Sequence, residues 1–189
     1  MVYFGAIIKM AAIIPTIFAA NKKDFYSRLE KLIPVSKNLQ VDIMDGRFVK
    51  NKSVKIRDIP DLRRYNKNFE AHLMINNPQL CLNELKTKGF NKIIFHHEAI
   101  DNDYMIMAIT SMIHKLGMKA FLAINPETPV KRLIPHIKIV DGIASNYVKI
   151  LVTIPSVLFS FIIGYLMDKN GVLEIKKKVK ILMEIGIGF

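Results

Sequence analysis

Asp42 is the residue of this chain that most needs a chemical explanation. It stands in Gln40-Val41-Asp42-Ile43-Met44-Asp45-Gly46, an otherwise apolar run whose two-residue alternation points Gln40, Asp42 and Met44 to one side. A carboxylate on such a face must be paired, bound to a metal or catalytic. Three further clusters place polar or sulfur-bearing groups beside strand-like runs: Pro15-Thr16, His72-Leu73-Met74 and Asn125-Pro126-Glu127-Thr128-Pro129. Each alone has a plainer reading. A single histidine at a strand end is more often hydrogen-bonded than ligating, and Met44 and Met74 are more often packing than pocket wall.

Short apolar runs alternate with amphipathic stretches along the chain, the pattern of βα units around a parallel sheet. Strands are expected at Ala11–Pro15, Leu39–Met44, Glu70–Ile75, Lys92–His96, Lys119–Ile124 and Lys138–Ile143. Helices are expected at Lys22–Leu32, Pro78–Lys88 and Asp103–Leu116, with a shorter one at Val130–Ile134. Asn77 before Pro78 marks a first helical turn, and Gly89 and Gly117 mark helix ends. The four chemical clusters then fall at the C-terminal ends of strands, where a (β/α) barrel assembles its active site. No G-x-G-x-x-G follows the first strand, which disfavours a dinucleotide-binding sheet. The expected fold class is therefore α/β, a (β/α)8 TIM-type barrel.

With 189 residues, 51% apolar and 23% charged, the chain is one globular domain spanning 1–189. Its net charge of +12 is spread over helix faces and loops, and no nucleic-acid-binding motif accompanies it, so no nucleic-acid partner is expected. Cys81 is the sole cysteine. It reads as a buried thiol among Leu80, Leu82 and Leu85, and it fits a cytoplasmic location. The apolar start, Met1–Ile14, carries Lys9 and no cleavage site, so it reads as a lead-in to the first strand. Ile150–Met167 holds 18 residues without a charge, at the length limit for a membrane span. Thr153, Pro155, Ser156, Ser160 and Gly164 interrupt it, which favours buried strands with a short connection over a membrane partner.

From about Ile14 to Gly142 the chain resembles the ribulose-phosphate 3-epimerases. The motifs that carry the resemblance stand in family order as IIPTIFAA, VDIMDGRFVKN, EAHLMINNP, IIFHHEA and LAINPETPV. The resemblance implies an isomerase that interconverts D-ribulose 5-phosphate and D-xylulose 5-phosphate by proton transfer at C3. A carbon acid beside a ketone needs a base on one face, an acid on the other and stabilisation of the enediolate oxygen, which a divalent metal can supply. By this resemblance Asp42 and Asp168 are catalytic. Thr16, Met44, His72 and Met74 touch the substrate, and Asp42, His72 and Asp168 bind one divalent ion of zinc, iron, manganese or cobalt. The partner is a small phosphorylated pentulose, and a homo-oligomer stays open. His96 stands where the family has a histidine and His97 where an apolar residue is usual; both stay open as site residues. His114 and His136 read as surface residues.

The resemblance departs from the family at several places. Gln40 stands where the family has a metal-binding histidine, and an amide oxygen is a poorer ligand for zinc or iron. Only Val152-Thr153-Ile154-Pro155-Ser156 echoes the glycine-rich segment expected after the sixth strand, and Asp168-Lys169-Asn170-Gly171-Val172 is a loose match to the second catalytic motif. Residues 1–143 are thus the well-matched part and 144–189 the divergent part, as a barrel incomplete at its C-terminal end would be. Weaker alternatives are an inactive barrel that binds a sugar phosphate or a partner, a membrane-associated protein using 150–167, and an epimerase for a hexulose phosphate.

Overall fold

Buried runs with no exposed face, such as residues 69–73 and 92–96, demand a sheet covered on both sides, and parallel sheets are built that way. The computed structural model describes residues 14–100 and 102–145. Within them six strands form one sheet in chain order: β1 (Thr16–Ile17), β2 (Asn38–Met44), β3 (Asn68–Met74), β4 (Lys92–His96), β5 (Lys119–Ile124) and β6 (Gly142–Ser145). Every neighbouring pair is parallel. The helices α1 (Lys22–Leu32), α2 (Leu82–Lys88) and α3 (Asp103–Lys115) connect them. A sheet whose order follows the chain without reversal is that of a TIM-type barrel; a doubly wound sheet would change direction.

The two faces of the sheet differ in chemistry. Outward-pointing Val41, Ile43, Phe69, Leu73, Ile93, Phe95 and Leu122 pack with Phe25, Leu29, Leu85, Ile106, Ile109 and Ile113 from the helices in one buried cluster. The inward face has a small apolar patch, Ile94, Phe121 and Ala123 with Ile14 and Ala144. Apart from Met44 and Met74 its positions on β2 to β4 are largely polar, and Gln40, Glu70, His72, Lys92 and His96 are all buried. Lys92 is paired with Glu70, and its ammonium lies 4.6 Å from the centre of the Phe121 ring. Interior charge of this kind persists only when paired.

Local rules set the helix ends. The side chains of Asn21 and Asn102 accept from the amides of Asp24 and Met105 at 3.0 and 2.9 Å, satisfying donors that the first turns of α1 and α3 leave free. Gly89 ends α2 with φ +96°, where an added Cβ would also meet Arg63 Cγ at 2.8 Å.

Four expectations are corrected. Among the described residues the first strand is Thr16–Ile17, past the expected Ala11–Pro15, of which residues 11–13 lie outside the described ones: Pro15 has no N–H to give a ladder, and only its carbonyl takes part, accepting from Gln40 N at 2.9 Å. The sixth strand is Gly142–Ser145 rather than Lys138–Ile143. A 3-10 segment at Val130–His136 runs on through turns, with Val140 N donating to His136 O at 3.2 Å, so the apolar residues Ile139 and Val140 meet the core from a turn. Pro78–Lys88 divides into a 3-10 turn, Pro78–Cys81, followed by α2. His136, read as a surface residue, is buried. Among the described residues no helix is long and apolar enough to cross a membrane. Ile150–Met167 and Asp168 lie outside the described residues.

Candidate active site

The C-terminal ends of β2, β3 and β4 bring a line of polar side chains together. Asp42 and His72 are register partners on adjacent parallel strands, so period-two geometry places both on the inner face. His72 Nδ1 lies 3.2 Å from Asp42 Oδ1, and Gln40 Nε2 donates to the same oxygen at 3.1 Å. On its other side His72 Nε2 lies 2.9 Å from His96 Nε2, with the two rings 5.1 Å apart and 22° from parallel. One ring must donate and the other accept in that contact. The side chains of Asp42 and His72 are 15% and 8% exposed, enough to meet a ligand from the strand ends while sheltered from bulk water.

Glu98, in the turn after β4, anchors the far end of the line. Its Oε2 lies 3.5 Å from His96 Nδ1, and its Oε1 accepts from Asn125 N at 2.8 Å and from the Thr128 hydroxyl. Burial pushes the Glu98 carboxyl up, but hydrogen bonds from His96, Thr128 and Asn125 outweigh it and hold the group at about 2. Asp45 organises the loop after β2. Its carboxylate accepts from Arg47 N at 2.7 Å, Phe48 N at 2.9 Å and Asn76 N at 2.9 Å. Burial opposes ionisation there, and these backbone donors still bring the carboxyl below its ordinary value. Phe48 is thereby held with its ring 5.1 Å from that of His96.

Of the residues read from the sequence, Asp42 and His72 are in contact. Met44 and Met74 are register partners at the ends of β2 and β3, both half-buried. Thr16 sits beside Gln40 in register on β1. His96, left open, joins the line. Glu98, Phe48 and the Glu70–Lys92 pair were missed, although Glu70 and Lys92 occupy the same alternate positions as His72 and His96, a signal that could have found them. Cys81 is inert as read, its thiol pushed up to about 12 by burial and by the Glu84 carboxylate.

His97 turns away from this line. It lines a cavity of about 690 Å³ together with Glu98, Asn102, Asp103, Thr128 and Arg132; neither Asp42 nor His72 borders it. Burial, with the neighbouring His136 and Arg132, lowers the pKa of His97 against the pull of Glu98 and Asp103.

The sequence model of the Ribulose-phosphate 3 epimerase family matches residues 12–148. A ribulose-phosphate 3-epimerase of Schizosaccharomyces pombe is 28% identical over 69% of this chain and 58% of its own length. The cytoplasmic isoform of Oryza sativa subsp. japonica is 26% identical over 68% and 56%, and the Aquifex aeolicus protein 34% identical over 50% and 42%. The chain therefore matches between 42% and 58% of the length of these relatives. Among solved structures, 3-keto-L-gulonate-6-phosphate decarboxylase from Vibrio cholerae superposes with a TM-score of 0.55 at 10% identity, covering 71% of this chain and 61% of that one. A chain of the tryptophan synthase complex from Pyrococcus furiosus reaches 0.55 at 17% identity, covering 90% and 86%. These structural likenesses bear on the fold alone, and they agree with the barrel order of the sheet.

Proposed function

Because the chain belongs to the ribulose-phosphate 3-epimerase family, we propose that it acts on a phosphorylated pentulose, interconverting D-ribulose 5-phosphate and D-xylulose 5-phosphate by proton transfer at C3. The observation that carries this reading is the placement of the Asp42 carboxylate at the strand ends, held by Gln40 and His72 at 3.1 and 3.2 Å. Asp42 takes the proton from C3 on one face, and the electron pair moves toward the ketone oxygen. Return of a proton to the opposite face inverts the carbon. Asp168 is the proposed donor on that second face.

Asp42 and His72 are also the residues that would hold a divalent ion, with Asp168 completing the set. A carboxylate oxygen and an imidazole nitrogen suit zinc, iron, manganese or cobalt, and both belong to side chains only slightly exposed. Such an ion supplies Lewis acidity at the oxygen where charge develops. Gln40 adds a poorer ligand than histidine, and in the present arrangement its amide nitrogen, which cannot ligate, faces Asp42. His96 and Glu98 position His72 from behind, fixing the orientation of its ring as hydrogen-bonded partners of ligating histidines do. Met44, Met74 and Thr16 form the wall around the reacting carbon. An inert Cys81 and the homologous cytoplasmic isoform support a cytoplasmic setting.

The test is formation of D-xylulose 5-phosphate from D-ribulose 5-phosphate by the full chain supplied with a divalent metal. Conversion should occur and should fall by about 10²- to 10⁴-fold in Asp42→Asn, the usual contribution of a positioned acid–base group. Equal rates in the two proteins would remove Asp42 from the mechanism.

A further inference from the structure

We propose that His97, Asp103 and His136 form a binding site for one divalent transition-metal ion of the zinc class, separate from Asp42 and His72. The three residues come from the turn after β4, the first residue of α3 and the end of the 3-10 segment that follows β5. One ligand atom from each lies within 4.8 Å of the other two. Asp103 Oδ1 and His136 Nε2 are already 3.1 Å apart. A tetrahedral ion with bonds of about 2.1 Å spaces its ligands by roughly 3.4 Å, so that edge needs almost no adjustment. The rings of His97 and His136 are 5.9 Å apart, centre to centre, and His97 is half-buried on a short turn, where rotation of its side chain closes the remaining edges.

The donor set selects the ion. Two imidazoles and one carboxylate suit zinc and its borderline neighbours, whereas calcium and magnesium favour shells of oxygen. The setting is more than a surface ion pair. The His136 side chain is 2% exposed, and its Nε2 is held facing the Asp103 carboxylate, sheltered from solvent. Three polar groups thus meet at one corner with a single hydrogen bond among them. Asp103 is held in the first turn of α3 by the Asn102 cap, while its side chain is 62% exposed and reachable by an ion from solvent. His97 and Asp103 border the 690 Å³ cavity, so an ion at this corner keeps an open coordination position toward it. Three protein ligands with one open position is the arrangement of zinc sites that hold a water or an exchangeable ligand.

Metal-stripped full chain titrated with Co²⁺, whose visible absorption reports nitrogen and oxygen ligation, and with Zn²⁺ by calorimetry, provides the test. His97→Ala and Asp103→Asn are both at partly or largely exposed positions and should fold. Each should bind one equivalent fewer than wild type, or bind that equivalent at least 100-fold more weakly, since outer-shell changes alone cost about 10- to 100-fold. Asp42→Asn should keep this equivalent, which separates failure of this site from failure of the Asp42–His72 reading. No bound ion in wild type, or identical stoichiometry and affinity in wild type, His97→Ala and Asp103→Asn, would overturn the proposal.

Discussion

His96 and His97 are neighbours in the chain but serve opposite sides of the end of β4. His96 is the last strand residue and points inward, against His72 and Phe48. His97 begins a 3-10 turn and points to the corner where Asp103 and His136 meet. The inner group is carried by strands, and its geometry follows from parallel register: once Asp42 is paired with His72, their contact is set. The outer group is carried by a turn, a helix start and the end of a 3-10 segment, so its geometry depends on how loops close. Strand-borne chemistry inherits the precision of the sheet, and turn-borne chemistry has only its local caps and hydrogen bonds.

The largest expected effect breaks the inner side at its base. Lys92→Met leaves Glu70 buried without its partner and should cost about 3–5 kcal/mol, while Lys92→Met with Glu70→Leu should recover most of that loss. Chemical denaturation of the single and double variants checks this; equal losses would mean that the pair matters through volume rather than charge.

Glu98 borders both sides, and it titrates. Its carboxyl is held at about 2 against an ordinary 4.5, so it stabilises the fold above pH 4.5 and loses that contribution as pH falls toward 2. The difference in stability between wild type and Glu98→Gln should therefore shrink across that window, by about 1–3 kcal/mol once solvent screening is allowed for. Urea unfolding at several acidic pH values measures it, and a difference independent of pH would contradict the assigned hydrogen bonds.

Gln40→His sharpens the inner side. Replacing the amide by imidazole beside the proposed Asp42–His72 metal site should tighten binding of a divalent ion by more than about 10- to 100-fold, and it should leave the proposed His97–Asp103–His136 site unchanged. Calorimetric titration of both proteins with zinc reads the change. The smallest effect is on the outer side: Asn102→Ala removes the cap of α3 and should cost about 1 kcal/mol, visible as a lower denaturation midpoint with an unchanged slope.

The same contrast explains what could be read from the sequence. The placements of β2 to β5 were close to those observed because alternation and apolar runs report a sheet buried on both faces. Asp42 stood out for the same reason, as a carboxylate where the pattern called for an apolar residue. The edges were misplaced, since Pro15 withholds a donor and the residues around Ile139 pack apolar side chains from a turn, which mimics a strand in composition. Glu98 and His136 were illegible because a turn has no period: Glu98 looked like one charge among many, and only the closing of the 3-10 segment buries His136.

Asp42, on a strand, is proposed as a positioned base, whatever the quality of the second half-site. Deuterium incorporation at C3 of D-ribulose 5-phosphate in D₂O, with a divalent metal present, tests it most directly because it reads abstraction alone. Label should enter C3 faster than the other epimer forms, and Asp42→Asn should slow both by about 10²- to 10⁴-fold. Exchange that persists undiminished in Asp42→Asn would contradict the account.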